Sequence, residues 1–486
     1  MRHIASVLIA STASVALLAG CPSREVSKVE VEQQKQEPKV IPVETVRDVD
    51  ILFVIDDSES MGEEQASLIK NFPGFIAKLQ SIQGGLPNIH IAIASTDMGA
   101  QSGITGCDSG DGDNGELQAD FVGTDPACSD MTVSLDGNEP FISDIEDEDN
   151  PGTRIRNYSG MLNDDENLAK VFSCMAQLGL EGCGFEQPLE SMRRALEKDS
   201  GFLRPNAFLA IIFISDEDDC STYDKAMFET RETPALGQPD SFRCFEFGVQ
   251  CNPDDARSEG DKYECVPRVD SPFMYNVDEY VDFVKGLKGD PSQVIVAGII
   301  GIDPEDGPVN VFTEDRRGPN DTEPKIFHVL KPACVTESMD TGDIIGNAAP
   351  AVRLKYFLEQ FPGRNSITTI CDEDLTDALD LVGSLLAKVL DNPFCLTVDV
   401  DLDEADGLQY DCQVSDVLPP VTTGGPPDET PLEHCNGDQS NLPCWHIEVN
   451  EEGCTNVGPP FQELVVERGD QTVSPATQVV VKCAVN

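Results

Sequence analysis

Asp56, Ser58 and Ser60 occupy alternate positions in ILFVIDDSES, residues 51–60. An apolar run enters two aspartates directly, and a glutamate separates the two serines. Carboxylate and hydroxyl oxygens gathered on one tight turn are donors for a hard cation such as Mg²⁺, Ca²⁺ or Mn²⁺. Serine is a neutral ligand, so the ion stays electrophilic and open to an oxygen from outside. A second apolar run, FLAIIFISDEDD at 208–219, also ends in acids, with Asp216 first among them. Glu186 lies in GCGFEQPLESM, 182–192, where a helical stretch begins. Glu63 and Glu64 follow the first turn, and Asp218 and Asp219 follow Asp216. These four are candidates for a second cation, although acids in a first helical turn are also favoured by the helix dipole alone.

Bringing these oxygens together requires a sheet whose strands all end on one edge. Apolar runs at 50–55, 89–95, 208–215 and 294–301, with a weaker one at 366–370, alternate with helical stretches. The latter fall at 63–79, 166–178, 188–197, 277–287, 349–361 and 374–390. That alternation predicts a Rossmann-like, doubly wound, mostly parallel α/β sheet. Strands this uniformly apolar are buried on both faces. Two long insertions, 97–163 and 220–271, follow strand ends, the edge where open α/β sheets carry their function.

The 486 residues include 33 basic and 88 acidic ones, a formal net charge of −55. Such a chain repels phosphate backbones and anionic lipid, which argues against nucleic acid as a partner. Most of these carboxylates are expected to form a solubilising surface. Arg2 and His3 precede an apolar run over 4–18 that ends in LAGC at 18–21. This is a signal segment, too short to span a bilayer. Its ending resembles a bacterial lipobox, which implies lipidation of Cys21, and Pro22 is not the aspartate of inner-membrane retention. An outer-membrane lipid anchor is therefore expected.

Seventeen cysteines are present, and setting Cys21 aside leaves an even number. In an exported chain this points to disulfides. There is no CxxC pair, so a zinc site is not expected. Cys174 and Cys183 flank the loop before Glu186, and a bridge between them would brace it. The expected organisation is a signal peptide at 1–20, a lipidated cysteine with a flexible tether at 21–48, an α/β domain at 49–394, and a cysteine-rich β module at 395–486. Trp445, in that module, reads as a core residue.

The spacing Asp56-x-Ser58-x-Ser60 resembles the metal-ion-dependent adhesion site of von Willebrand factor A domains. The resemblance implies a cation held by Asp56, Ser58, Ser60, Glu186 and Asp216. Most of that family supply a threonine from the middle loop. Glu186 in its place resembles integrin β subunits, as do the acids after Met61. DILFVIDDSESMGEEQ, GCGFEQPL and FISDEDDC also resemble A-domain lipoproteins of myxobacteria, over roughly 48–395. That group implies a fold and an address but no defined activity. The expected role is cation-dependent binding of an envelope protein or other envelope ligand, with the membrane met only through the lipid.

Other motifs carry less. GDGDNG at 110–115 fits GxGxxG but lacks the preceding strand and following helix, and its aspartates would repel a pyrophosphate. The same stretch could form a small calcium loop, though its spacing is not that of an EF-hand. Ser58 stands where phosphatases with an aspartyl nucleophile carry their second aspartate. A metal-dependent hydrolase and a structural role for the metal are the alternative readings. No positioned base or nucleophile supports the first, and an enzyme is not expected.

Overall fold

The computed structural model describes residues 35–42 and 48–485 apart from 83–84, 101–106, 108–109, 111, 120–127, 129–132, 136–138, 148–149, 151–152, 161–162, 199, 290, 318–322, 339–340, 373, 392–394, 397–398, 402–409, 419–427, 438–439, 451–453, 455–459 and 469–477. The signal segment and Cys21 lie outside the described residues.

A seven-stranded sheet forms the centre. In chain order its strands are β1 (Asp48–Ile55), β2 (Asn88–Ser95), β3 (Ile142–Glu146), β4 (Arg154–Arg156), β5 (Phe208–Ser215), β6 (Val294–Ile300) and β7 (Asn365–Thr369). Their spatial order is β7-β6-β5-β1-β2-β3-β4. The five strands from β7 to β2 are parallel, and β3 and β4 are added antiparallel. The weak apolar run near 366–370 is thus an edge strand of this sheet.

The helices are α1 (Gly62–Gln80), α2 (Asp164–Met175), α3 (Pro188–Glu197), α4 (Phe242–Gly248), α5 (Val277–Gly286), α6 (Val352–Glu359) and α7 (Thr376–Asp391). Side chains alternate across a strand, and β1 shows the consequence. Val49, Ile51, Phe53 and Ile55 pack into one core with Phe72 of α1, Phe172 of α2 and Leu379 of α7. Leu52 and Val54 pack into another with Met192 of α3, Tyr280 of α5 and Phe357 of α6. Helices therefore cover both faces, as a doubly wound sheet requires. The chain leaves β1 toward β2 on one side and later returns as β5 on the other, so the topological switch point is at β1.

The second insertion has more structure of its own than its sequence suggests. Strands Val249–Asn252 and Gly260–Pro267 join Val309–Asp315 and Ile326–Leu330 in a four-stranded antiparallel sheet. Residues 412–485 supply five strands of a six-stranded sheet, with Trp445 in its core. The sixth strand is Lys35–Pro42, paired antiparallel with Gln478–Val485. This part of the expected tether is thus a strand. Pro38 and Pro42 mask it in the sequence, but both are tolerated on an outermost strand, where one side of the backbone is unpaired.

All sixteen cysteines after Cys21 are paired. The expected bridge between Cys174 and Cys183 is not among the pairs: Cys183 joins Cys107, and Cys174 joins Cys128. The two residues are close in sequence but sit in different cores. Cys174 is on α2 under the sheet, whereas Cys183 belongs to a cluster with Phe185, Cys220 and Phe228. The loop before Glu186 is still braced, but to the first insertion. Peptide mapping of unreduced protein is expected to recover 107 linked to 183 and 128 linked to 174. A peptide linking 174 to 183 would restore the simpler pairing.

Candidate functional site

β1, β2 and β5 run parallel, so Asp56, Thr96 and Asp216 follow three adjacent strands at one edge. The Asp56 amide donates to the Ile214 carbonyl at 3.0 Å, and the Thr96 amide to the Ile55 carbonyl at 3.2 Å. The Asp56 carboxylate is fully buried. Its Oδ1 accepts from the Ser58 amide at 2.8 Å and its Oδ2 from the Ser215 hydroxyl at 2.7 Å. Ser58 Oγ and Ser60 Oγ are 3.0 Å apart on the same turn, which runs into α1 through a short 3-10 turn at Glu59–Met61. Gln65 of α1 donates to the Asp56 carbonyl and to the Gly179 carbonyl, both at 3.0 Å, and so ties this turn to the Glu186 loop.

Glu186 sits just before α3 and is completely buried. Its Oε2 accepts from the Thr96 hydroxyl, and its carbonyl accepts the Cys220 amide at 2.7 Å. The sequence offers little to single out Thr96. Its only signal is a small oxygen donor immediately after an apolar strand, as at Asp56 and Asp216. Thr96 reaches Glu186 from the end of β2.

Asp56 is the common neighbour of the expected residues: Ser58 bonds to it and to Ser60, Ser60 bonds to Asp216, and the Asp56 charge acts on both Glu186 and Asp216. Burial raises the carboxyls of Asp56, Glu186 and Asp216 above their usual range. Neighbouring acids add to this: Asp56 and Glu217 act on Glu186, and Asp56 and Glu64 act on Asp216. A hydrogen bond from Ser60 works in the opposite direction on Asp216, which still reaches about 8. The charged groups that weigh most on Glu186 and Asp216 are acids. Glu186 Oε1, Asp216 Oδ1, Glu64 Oε2 and Asp57 Oδ1 are buried without a hydrogen-bond partner.

The other acids separate. Glu64 is buried and joins this set, whereas Glu63 is exposed. Asp218 accepts the Arg353 and Leu354 amides at 3.0 and 3.1 Å and so caps α6. Asp219 accepts the Arg353 guanidinium at 3.0 Å and, through Oδ1, the Leu189 amide at 3.1 Å. Glu63, Glu64, Asp218 and Asp219 are therefore not assembled as a second cation group, because Asp218 and Asp219 already serve helix ends and a buried arginine.

Burying a carboxylate without a partner is costly. A divalent cation would relieve that cost, and the donors present are the hard oxygens it prefers. Among the described residues, no three Asp, Glu, His or Cys side chains form a metal-holding group by themselves. An ion here would need oxygens beyond these carboxylates, such as the hydroxyls of Ser58 and Ser60.

No protein-family model and no curated protein matches this sequence. Among solved structures it is similar to a von Willebrand factor type A protein from Catenulispora acidiphila, with 10% identity and a TM-score of 0.27, over 93% of this chain and 66% of that one. It is also similar to the pilus adhesin SpaC from Lactobacillus rhamnosus GG, with 10% identity, a TM-score of 0.29 and coverage of 91% and 40%. A third is the pilus adhesin RrgA from Streptococcus pneumoniae, with 12% identity, a TM-score of 0.28 and coverage of 95% and 60%. The chain thus spans less than two thirds of the length of each.

The raised carboxyls set a pH dependence for metal-free protein. Between the ordinary aspartate value of 3.8 and about 8, Asp216 keeps a proton in the folded chain that the unfolded chain has released. The folded state binds more protons across this window, so stability from this group falls as pH rises. Chelator-treated protein is expected to lose melting temperature between roughly pH 5 and pH 8, with Mg²⁺ restoring more at the upper end. Mg²⁺ stabilisation that is equal at both ends would count against a buried acidic site.

Proposed function

We propose that this chain is a cation-dependent binding protein of the cell envelope, lipid-anchored in the outer membrane through Cys21. Asp56, Ser58, Ser60, Glu186 and Asp216 would hold one Mg²⁺, with Ca²⁺ or Mn²⁺ as substitutes. The observation that carries this reading is the pair of buried carboxylate oxygens on Glu186 and Asp216 that lack a hydrogen-bond partner and whose strongest charged neighbours are acids. When bound, the ion supplies a Lewis-acidic position that an oxygen from a partner can complete.

The protein residues do the positioning. Thr96 orients Glu186, Ser215 and the Ser58 amide fix the two oxygens of Asp56, and Gln65 holds the turn against the opposite loop. Glu186 contributes a charge where a threonine would be neutral. Together with Asp56 and Asp216 it leaves the site net negative around one dication, which favours a neutral or hydroxyl-bearing partner group over an acidic one. The lipid-anchored address rests on LAGC alone.

Two variants test the site. Ser58→Ala removes one neutral donor and is expected to weaken Mg²⁺ binding by about tenfold or more, the scale at which even supporting residues act on a metal. Glu186→Thr is expected to weaken the ion further while making the loaded site more attractive to an acidic partner. Calorimetric titration reads both. Unchanged Mg²⁺ affinity in Glu186→Thr beside a clear loss in Ser58→Ala would remove Glu186 from the ligand set. No Mg²⁺ binding by the unaltered chain would remove the reading itself.

A further inference from the structure

A groove of about 910 Å³ opens beside the second insertion, at the carboxyl end of β6. Its size is that of a ligand site, and strand ends of this kind are where open α/β sheets bind. Gly301, directly after β6, lines it together with Ala351, whose amide donates to the Gly301 carbonyl at 2.9 Å. Tyr263 to Val266 of the strand Gly260–Pro267 line it as well. So do Cys334 and Val335, from a hairpin of strands Cys334–Glu337 and Ile344–Ala348.

The strand Gly260–Pro267 is only partly paired. Gly260, Asp261 and Lys262 face Val311, Asn310 and Val309. The neighbouring strand begins there, because the residue before it is Pro308, which has no amide hydrogen. The Asp306 and Gly307 amides turn back to Asp303, at 3.0 and 3.1 Å. Among the described residues, no strand pairs with 263–267 on this side. On the other side Tyr263, Val266 and Pro267 pair with Asn252, Gln250 and Val249, with a bulge between Tyr263 and Val266.

The bulge holds Glu264 at φ +53, a left-handed backbone that a residue with a long side chain adopts only under strain. Bulges of this kind re-aim side chains. Here Tyr263 is 53% and Val266 48% exposed, and Val335 across the groove is 40% exposed. Five acids and three lysines line the groove. Lys262 is buried and donates to the Asp255 carbonyl at 2.6 Å, and Lys355 is paired with Asp306 at 2.8 Å. The surface left to a ligand is therefore apolar with an acidic rim that includes Glu264 and Glu359.

We propose that this groove takes an extended, basic peptide segment of a partner protein, laid along the unpaired side of 263–266. Main-chain hydrogen bonds to the open strand supply affinity, and side-chain contacts supply the choice of sequence. Successive side chains of an extended peptide point to opposite faces. A peptide that alternates apolar and basic residues can thus meet Tyr263, Val266 and Val335 with one set and Glu264 and Glu359 with the other. The groove goes beyond the cation site and needs no metal.

Fluorescence anisotropy of the full chain with a labelled, end-blocked octapeptide of alternating lysine and valine, at physiological ionic strength, tests this. A Kd of about 100 µM or tighter is expected, and chelator should leave it unchanged. Replacing one central valine of the peptide by proline keeps its charge and removes a backbone donor, which should weaken binding about tenfold. Tyr263→Ala and Glu264→Gln change exposed side chains and should each weaken it by about two- to fivefold. No measurable binding overturns the proposal. So does binding that ignores the proline, which needs no variant of the chain, or that both groove variants leave unchanged. Loss in chelator overturns it too and moves the peptide to the cation site. Peptide bound by a chain that takes up no Mg²⁺ supports the groove while the cation reading fails. Chitotetraose bound in place of the peptide, and lost in Tyr263→Ala, assigns the groove to a glycan and overturns the proposal.

Discussion

Uncompensated negative charge at the carboxyl edge of the central sheet is the constraint around which the rest is arranged. The two edges of the sheet treat a buried aspartate differently. At the amino edge, Asp50 is fully buried and accepts from the Arg204 amide and guanidinium at 2.7 Å, with Lys288 Nζ 3.8 Å away. At the carboxyl edge, Asp56, Glu186 and Asp216 meet hydroxyls, amides and other acids. The first arrangement is an internally balanced ion network. The second is relieved by protons in the metal-free chain, with Asp216 raised to about 8, and it is the edge at which the cation site is proposed.

Holding such a set together takes scaffolding away from the acids. Arg353 is a hub of this kind: fully buried, it binds Asp219 and donates to the Gly248 and Tyr275 carbonyls at 3.2 and 3.0 Å. It thereby connects the second insertion, the loop after β5 and, through Asp219, the start of α3. Glu190 on α3 takes the Tyr280 hydroxyl at 2.9 Å, tying the same helix to α5. Rigid surroundings of this type let the acidic turn keep its shape despite internal repulsion.

Much of this was legible in the sequence because it is local. Apolar runs ending in Asp56 and Asp216 mark two strands and the edge they share, and a five-residue spacing marks three side chains that meet on one turn. Glu186 was legible from its place before α3. The unread parts depend on distant partners. Asp219 looks like one more acid until Arg353, 134 residues away, is placed beside it. Thr96 resembles any strand-end hydroxyl until it meets Glu186, 90 residues on. Cys174 and Cys183 mislead for the converse reason: nearness along the chain says little when a core lies between.

The strand Lys35–Pro42 has a mechanical consequence. Under the proposed lipidation of Cys21, the chain between anchor and strand could extend no further than roughly 50 Å, at about 3.3–3.6 Å per residue. A pull on such an anchor would run along this strand and the covalent chain into β1, which Asp56 directly follows. The remaining strands of the six-stranded sheet flank that covalent line without being links in it. Under the proposed function, tension between partner and anchor would reach the acidic turn by the backbone itself, and the cysteine-rich sheet could yield without breaking that covalent line.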